Sequence, residues 1–171
     1  MAKNLFISGK PGVGKTTLVI EIFNKYPEKF GGFYTKEFRE GGVRKGFLIC
    51  TTDGKKEVFA SKDFKSKYKV GSYGVNLEVL ETIGVKSLIE ALETKEIILI
   101  DEIGKMELFS EKFKEIVLRC LVSSKKVLAT LKFTSDSFTD KIKSLQNTEI
   151  LELTRQNYDS IKNYIETWLR N

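Results

Sequence analysis

The sequence predicts an α/β fold, a mainly parallel sheet covered by helices on both sides, with an antiparallel β meander inserted into it. Three observations carry this. Apolar runs at residues 5–7, 97–100 and 127–130 have the length and continuity of strands buried on both faces. Segments of helical period separate them, and strands that alternate with helices argue a parallel sheet. Between residues 32 and 60 the rhythm changes, because Gly41-Gly42 and Asp53-Gly54 separate strand-like runs as hairpin turns do.

The elements follow in order. Leu5-Phe6-Ile7 is the first strand, ended by Ser8-Gly9. After a glycine-rich stretch, Leu18 with Ile22 and Val19 with Phe23 repeat at the spacing of one helix face. The meander takes strands at 33–39, 44–51 and 56–60. Residues 63–74 are rich in lysine and weakly periodic and read as an exposed loop, with short helices near 77–82 and 86–93 beyond it. Residues 97–100 are the second buried strand. Ser110 is a natural N-cap for a helix over 111–123, on which Phe113, Ile116, Val117, Cys120 and Leu121 share a face. Residues 127–130 are the third strand. A helix over 138–145, a weaker strand over 149–153 and a helix over 157–170, burying Ile161, Tyr164, Ile165 and Trp168, complete the chain.

A length of 171 residues suits one domain spanning 1–171, large enough to hold a core without disulfide or metal. With 41% hydrophobic and 30% charged residues, the chain is neither a disordered tail nor a membrane protein. The absence of histidine excludes a Ser-His-Asp triad, a Cys-His dyad and any His-ligated zinc site. Cys50 and Cys120 form no ligand cluster and sit in apolar settings, so they read as reduced core thiols. No segment has the makings of a signal peptide or a membrane span, and the expected location is the cytoplasm. The formal charge of +6 suits anionic partners, nucleotides or nucleic acid, without choosing between them.

Gly9-Lys10-Pro11-Gly12-Val13-Gly14-Lys15-Thr16 fits G-x-x-x-x-G-K-[ST], and it sits between a predicted strand and a predicted helix. Glycines at these places let main-chain N–H groups wrap phosphate oxygens, and the helix behind presents its positive N-terminus. Lys15 would supply charge to the β and γ phosphates, and the Thr16 hydroxyl is a ligand for Mg²⁺. An Asp at the end of a buried apolar strand is costly unless compensated, and Asp101 follows Ile97-Ile98-Leu99-Ile100. A Mg²⁺ held beside Thr16 would compensate it. Glu102 stands next, at the sheet edge where α/β proteins bind ligands, and is the candidate to polarise the attacking water. Glu107 is its rival, expected to turn away from that edge beyond Gly104.

Clues to specificity are fewer. The one Asn-Lys pair, Asn24-Lys25, runs into Tyr26-Pro27, so no guanine-reading N-K-x-D is present. Of five arginines, Arg119 falls mid-helix and Arg170 at the C-terminus, which leaves Arg39, Arg44 and Arg155 to face a transferring phosphoryl group. Lys-rich residues 62–69, interleaved with Phe64 and Tyr68, read first as a solvated loop and only second as a polyanion contact, since no recognised nucleic-acid module accompanies them.

Most of the chain resembles the small thermophile-type nucleoside triphosphatases, whose animal members are called cancer-related nucleoside triphosphatase. Residues 9–17, ending in Thr17, resemble the family's GxPGVGKTT. Gly32-Phe33-Tyr34-Thr35-Lys36-Glu37-Phe38-Arg39 resembles its GFYTEEVR, and residues 41–47 its following GG-x-R-x-GF. Val70-Gly71-Ser72-Tyr73-Gly74-Val75 resembles VGxYGV, and Asp101-Glu102-Ile103-Gly104-Lys105-Met106-Glu107-Leu108 is the family's DEIGKMEL. The resemblance implies a P-loop NTPase fold in three layers that hydrolyses ATP, GTP and other nucleoside triphosphates with Mg²⁺. It implies a nucleotide site of Gly9, Lys10, Pro11, Gly12, Val13, Gly14, Lys15, Thr16 and Thr17 with Asp101, Glu102 and Gly104, and it puts Arg39 and Lys105 near the phosphates. Two departures stand out: Ala129-Thr130-Leu131-Lys132 replaces the family's ATxH, and Thr154-Arg155-Gln156-Asn157 displaces the arginine of its T-x-x-NR. A nucleotide or polynucleotide kinase, with a hydroxyl as acceptor, and a nucleotide-gated switch are the other functions this framework allows.

Overall fold

Alternation along the central strands decides the layering. A computed structural model describes residues 1–171. In β1 (Asn4–Ser8), Leu5 and Ile7 face one side of the sheet and Phe6 the other. Leu99 and Leu128 join the first side, while Ile98, Ile100, Val127 and Ala129 join the second. Each face therefore needs a helical cover, and each has one. Helices α1 (Lys15–Lys25) and α6 (Tyr158–Arg170) close the first face with Leu18, Ile22, Ile165 and Trp168. The second is closed by α3 (Lys86–Thr94), α4 (Glu111–Val122) and α5 (Ser137–Lys143). The result is a three-layer α/β/α arrangement.

Nine strands form one mixed sheet in the order β5-β6-β4-β3-β2-β7-β8-β1-β9. Its parallel part is β2 (Phe30–Glu40), β7 (Ile97–Ile103), β8 (Lys126–Leu131), β1 and β9 (Thr148–Glu152). The weak apolar run at 149–153 is thus a true edge strand, paired to β1 throughout.

The meander is not an insertion separate from the core. Residues Phe30 to Phe33 of β2 pair parallel with Ile97 to Ile100, and from Phe33 onward the same strand pairs antiparallel with β3 (Val43–Thr51). An 11-residue strand is long enough to do both, with its first half buried in the core and its second half running out into a hairpin. Outward from β3 come β4 (Lys56–Ser61), β6 (Tyr73–Val75) and β5 (Lys69–Val70). The last two correct the expected loop over 63–74. Gly71-Ser72 turns the chain, β6 pairs with β4 and β5 forms the sheet edge outside it, pairings that no periodicity in so short a segment could announce. Between β6 and α3 the helical path is α2 (Leu77–Val79), capped by the Asn76 side chain, then a π-helical stretch Leu80–Val85.

Ser110 caps α4 as expected, with Oγ accepting from Phe113 N–H at 3.1 Å. The same hydroxyl donates to Glu81 Oε2 at 2.7 Å, fastening the π-helical stretch to α4. Cys50 and Cys120 are both buried, free thiols, and burial pushes the Cys120 thiol up to about 12.

Phe113 holds α4 to the sheet, 0% exposed with its ring 6.2 Å from that of Phe33. Phe113→Ala should cost about 3–5 kcal/mol, the usual range for truncating a buried ring. A urea denaturation midpoint unchanged from wild type would show that α4 does not depend on this contact.

Candidate active site

The loop from Gly9 to Gly14 joins β1 to α1 through backbone that side chains disfavour. Gly14, the residue before α1, has φ 110° and ψ 22°, a left-handed conformation strained for any residue with a Cβ. It brings no side-chain acceptor to the first turn of α1, and that turn holds no acidic residue, so the helix presents its N–H groups and positive end to the loop. Lys10, Pro11 and Gly12 form the exposed lip, Val13 is half-buried and Thr17 faces solvent. Lys15 is only 8% exposed, and its Nζ donates to Gly9 O at 2.7 Å, which lays the ammonium across its own loop.

Opposite the loop stands Asp101. β8 lies between β1 and β7, so the end of β8 separates the loop from Asp101. That end carries Thr130, which bridges the gap. Asp101 is 0% exposed, and its Oδ1 accepts from Thr130 Oγ1 at 2.6 Å and Thr16 Oγ1 at 3.0 Å. Its Oδ2 accepts from the Thr35 N–H of β2 at 3.3 Å. One carboxylate thereby ties together the start of α1, the middle of β2 and the end of β8. Burial pushes its pKa up to about 6, with the charge of Glu102 adding to the shift and the three hydrogen bonds opposing it.

Strand β7 runs through Ile103, further than the apolar run suggests, and its register with β8 shifts between Ile100 and Ile103, where Asp101 and Glu102 lie. Glu102 is half-buried. Burial raises its pKa, while the cationic Lys15 and Lys132 draw it back. Beyond it, Gly104 is a close-approach position: a Cβ there would sit 2.9 Å from Glu107 Oε1 and 3.2 Å from Glu102 Oε2.

Glu107 therefore does not turn away from the sheet edge. A short 3₁₀ turn, Glu107–Phe109, folds it back beside Glu102, where it is 5% exposed. Burial holds its carboxyl well above the usual range; the charges of Glu102 and Asp101 push the same way, and the main-chain N–H groups of Glu107 and Gly104 oppose them. Sequence could not indicate this, since three residues of 3₁₀ turn carry no periodicity.

Thr16, Lys15, Asp101, Glu102 and Gly104 thus come together at one edge of the sheet. Arg39 is not part of that cluster, and Lys105 is exposed next to Gly104 at its rim. Arg39 is exposed on the β2–β3 hairpin, bonded to Gly42 O at 3.0 Å and Glu37 Oε2 at 3.3 Å, and Lys105 is exposed on the turn after β7. Lys132 pairs with Asp136 at 3.1 Å, and Arg155 is exposed beyond β9. Two members of the cluster, Thr130 and Thr35, lie inside the family-like segments 129–132 and 32–39 but are not among the candidate site residues. Thr130 ends an apolar strand at the same edge as Asp101, a usable signal, whereas Thr35 acts through its main-chain N–H, which leaves no mark in the side-chain pattern.

A glycine loop running into a helix, with a buried acid two strands away across a parallel sheet, defines a P-loop NTPase. Comparisons with known proteins agree: the sequence model of a family described as NTPase matches residues 4–166. The chain belongs to this NTPase family and is an enzyme of that class. It is 48% identical over 166 residues to nucleoside-triphosphatase THEP1 of Thermotoga maritima, covering 97% of this chain and 95% of that one. The crystal structure of THEP1 from Aquifex aeolicus superposes with a TM-score of 0.88 at 40% identity, over 98% of this chain and 99% of that one. The solution structure of a human cancer-related nucleoside triphosphatase gives 0.83 at 29% identity, over 98% and 97%.

The Glu107 environment makes a stability prediction. Its carboxyl is harder to ionise in the folded chain than at its ordinary 4.5, so the folded protein keeps a proton that the unfolded chain releases. Stability contributed by this group is complete at low pH and falls as pH rises from 4.5 toward the raised value. Glu107→Gln removes that decline. The variant should gain on wild type at about pH 8 and hardly at all at about pH 5, with about 2–4 °C in Tm for each kcal/mol in a chain of this size. Parallel Tm curves for the two proteins from about pH 5 to 8 would contradict the buried-carboxyl reading.

Proposed function

We propose that residues 1–171 form a single catalytic domain that hydrolyses nucleoside 5′-triphosphates, ATP and GTP among them, to the diphosphate and phosphate with Mg²⁺. The observation that carries this reading is the Thr16–Asp101 pair at the mouth of the glycine loop. A hydroxyl and a carboxylate are hard oxygen donors, and Mg²⁺ takes one or two such groups while keeping waters and substrate phosphate oxygens. Both donors already meet at 3.0 Å, so the residues fit the ion. Bound between them, Mg²⁺ would supply positive charge to the phosphate oxygens.

In this reading the loop N–H groups and the N-terminus of α1 hold the β and γ phosphates. Lys15 exchanges its bond to Gly9 O for phosphate oxygens and neutralises charge that grows in the transition state. Thr130 and Thr35 keep Asp101 in one orientation. Glu102 accepts a hydrogen bond from water and takes its proton as the water oxygen attacks the γ-phosphorus and the bridging P–O bond to the β-phosphate breaks. Glu102 is suited to that role by burial that raises its basicity and by a carboxylate neighbour already committed to Thr16 and Thr130. Lys105, exposed beside Gly104, is the rim cation of this reading, and Arg39 would have to release Gly42 and Glu37 to join it. Asn24 and Lys25 lie within α1, so the pair signals no guanine selectivity, and broad base specificity rests on the family resemblance.

Glu102→Gln should leave the Kd for a non-hydrolysable triphosphate within about twofold while kcat falls by roughly 10²–10⁴, the usual contribution of general base catalysis. Equal losses in affinity and rate would assign Glu102 to binding, and no loss in either would transfer the role to Glu107. Phosphate release should also continue over many turnovers with ATP, GTP, CTP and UTP in the absence of any hydroxyl acceptor, and stop when a chelator removes divalent ions. Activity that persists in excess chelator, or that stops after one turnover, contradicts the proposal.

A further inference from the structure

Positive charge is concentrated in one part of the molecule. Residues 36–70, from the outer half of β2 through β5, hold ten Lys and Arg against five Asp and Glu. That excess of five accounts for nearly all of the chain's formal +6, so the catalytic half is close to neutral. Three of the ten cations are paired: Arg39 and Arg44 with Glu37 at 3.3 and 3.0 Å, and Lys45 with Asp63 at 3.3 Å. The other seven are exposed and have no ion-pair partner. Among these, Lys62, Lys65, Lys67 and Lys69 belong to the segment that leads from β4 into β5.

The same segment walls a groove of about 510 Å³, with Phe64, Tyr68, Val75 and Leu77 as its apolar lining. Its shape is fixed from within. The Tyr68 ring leans on Phe109, centroids 5.4 Å apart, and Ser66 Oγ donates to Val75 O at 2.8 Å. Asn76 Oδ1 is taken up by Val79 N–H at 3.2 Å. What the groove keeps for a partner is two half-buried aromatic rings with Lys65 on its wall, beside an Asp63 already paired to Lys45, and exposed Lys62, Lys67 and Lys69 along the same segment, Lys67 Nζ lying 5.2 Å from the centre of the Tyr68 ring.

We propose that this groove binds single-stranded nucleic acid, with the rim lysines on successive phosphates and Phe64 and Tyr68 against the bases. Cations along a groove together with aromatic side chains are what an unpaired strand requires, because its bases are free to leave one another and pack on rings. A duplex keeps its bases stacked inside and has no use for the rings. An anionic membrane would ask for apolar side chains pointing outward, yet in residues 36–70 the one strongly exposed large apolar side chain is Val43, 60% exposed at the far hairpin tip. The groove is separate from the nucleotide site, and its occupation needs no hydrolysis.

The test is fluorescence anisotropy of a 5′-labelled twelve-residue oligouridylate with the full chain, its nucleotide site filled by a non-hydrolysable triphosphate. Four lysine–phosphate contacts predict binding roughly 50-fold weaker at 200 mM than at 50 mM salt. The double variant Lys65→Glu with Lys67→Glu should bind at least about tenfold more weakly at 50 mM salt, lower the salt slope by about 1.4 and hydrolyse nucleotide at the wild-type rate. Phe64→Leu should weaken the oligonucleotide and leave inorganic polyphosphate unaffected, a result that bare charge attraction would not produce. The proposal is overturned by an oligonucleotide that stays free at about 100 µM protein, or by equal binding to wild type and the lysine double variant. Equal loss of both ligands in Phe64→Leu, or capture by phosphatidylserine vesicles in place of the oligonucleotide, overturns it as well.

Discussion

A carboxylate taken wholly out of water has to be satisfied from inside the protein, and the site of this enzyme is built on one that is. Asp101 receives the hydroxyls of Thr16 and Thr130 and the N–H of Thr35, three groups from parts of the chain far apart in sequence. If any one were misplaced, a buried charge would lose a partner, at a cost of about 1–3 kcal/mol or more. The need to satisfy this one side chain therefore fixes the start of α1 against the middle of β2 and the ends of β7 and β8. The glycine loop inherits its position from that arrangement.

The sheet order makes the arrangement feasible. With β8 between β1 and β7, the loop and the acid face each other across one strand width, and a threonine at the end of β8 spans the gap. Two apolar faces, each closed by helices, hold the central strands in register, so the edge where the groups converge rests on the most buried part of the molecule. Three carboxyl groups, Asp101, Glu102 and Glu107, gather at that edge, and Lys15 and Lys132 balance the charge of Glu102. Burial makes all three harder to ionise, a cost to folding concentrated at this edge.

The outer half of the sheet is organised on other terms. β3 to β6 extend from the one strand, β2, that the core shares with them, and the excess positive charge of the chain lies out there. Charge on that half leaves the central carboxylates undisturbed, while the Tyr68 ring, resting on Phe109 of the turn that begins at Glu107, keeps the two halves in mechanical contact.

Residues read in order were enough to identify what depends on neighbours in the chain. The glycine loop between Ser8 and Thr16, the Ser110 cap, the helix face from Phe113 to Leu121, the turns at Gly41-Gly42 and Asp53-Gly54, and Asp101 closing an apolar run are all local patterns, set by backbone sterics, hydrogen-bond needs and the periods of helix and strand. Tertiary structure alone decided the rest. It made β2 both a core strand and a hairpin arm, because its parallel partner, β7, lies far along the chain. It brought the Thr35 N–H and the Thr130 hydroxyl onto one carboxylate, folded Glu107 back against Glu102, and left Arg39 on a hairpin bonded to its neighbours. Those outcomes depend on distances between groups that share no local pattern, and the packing of both sheet faces is what sets them.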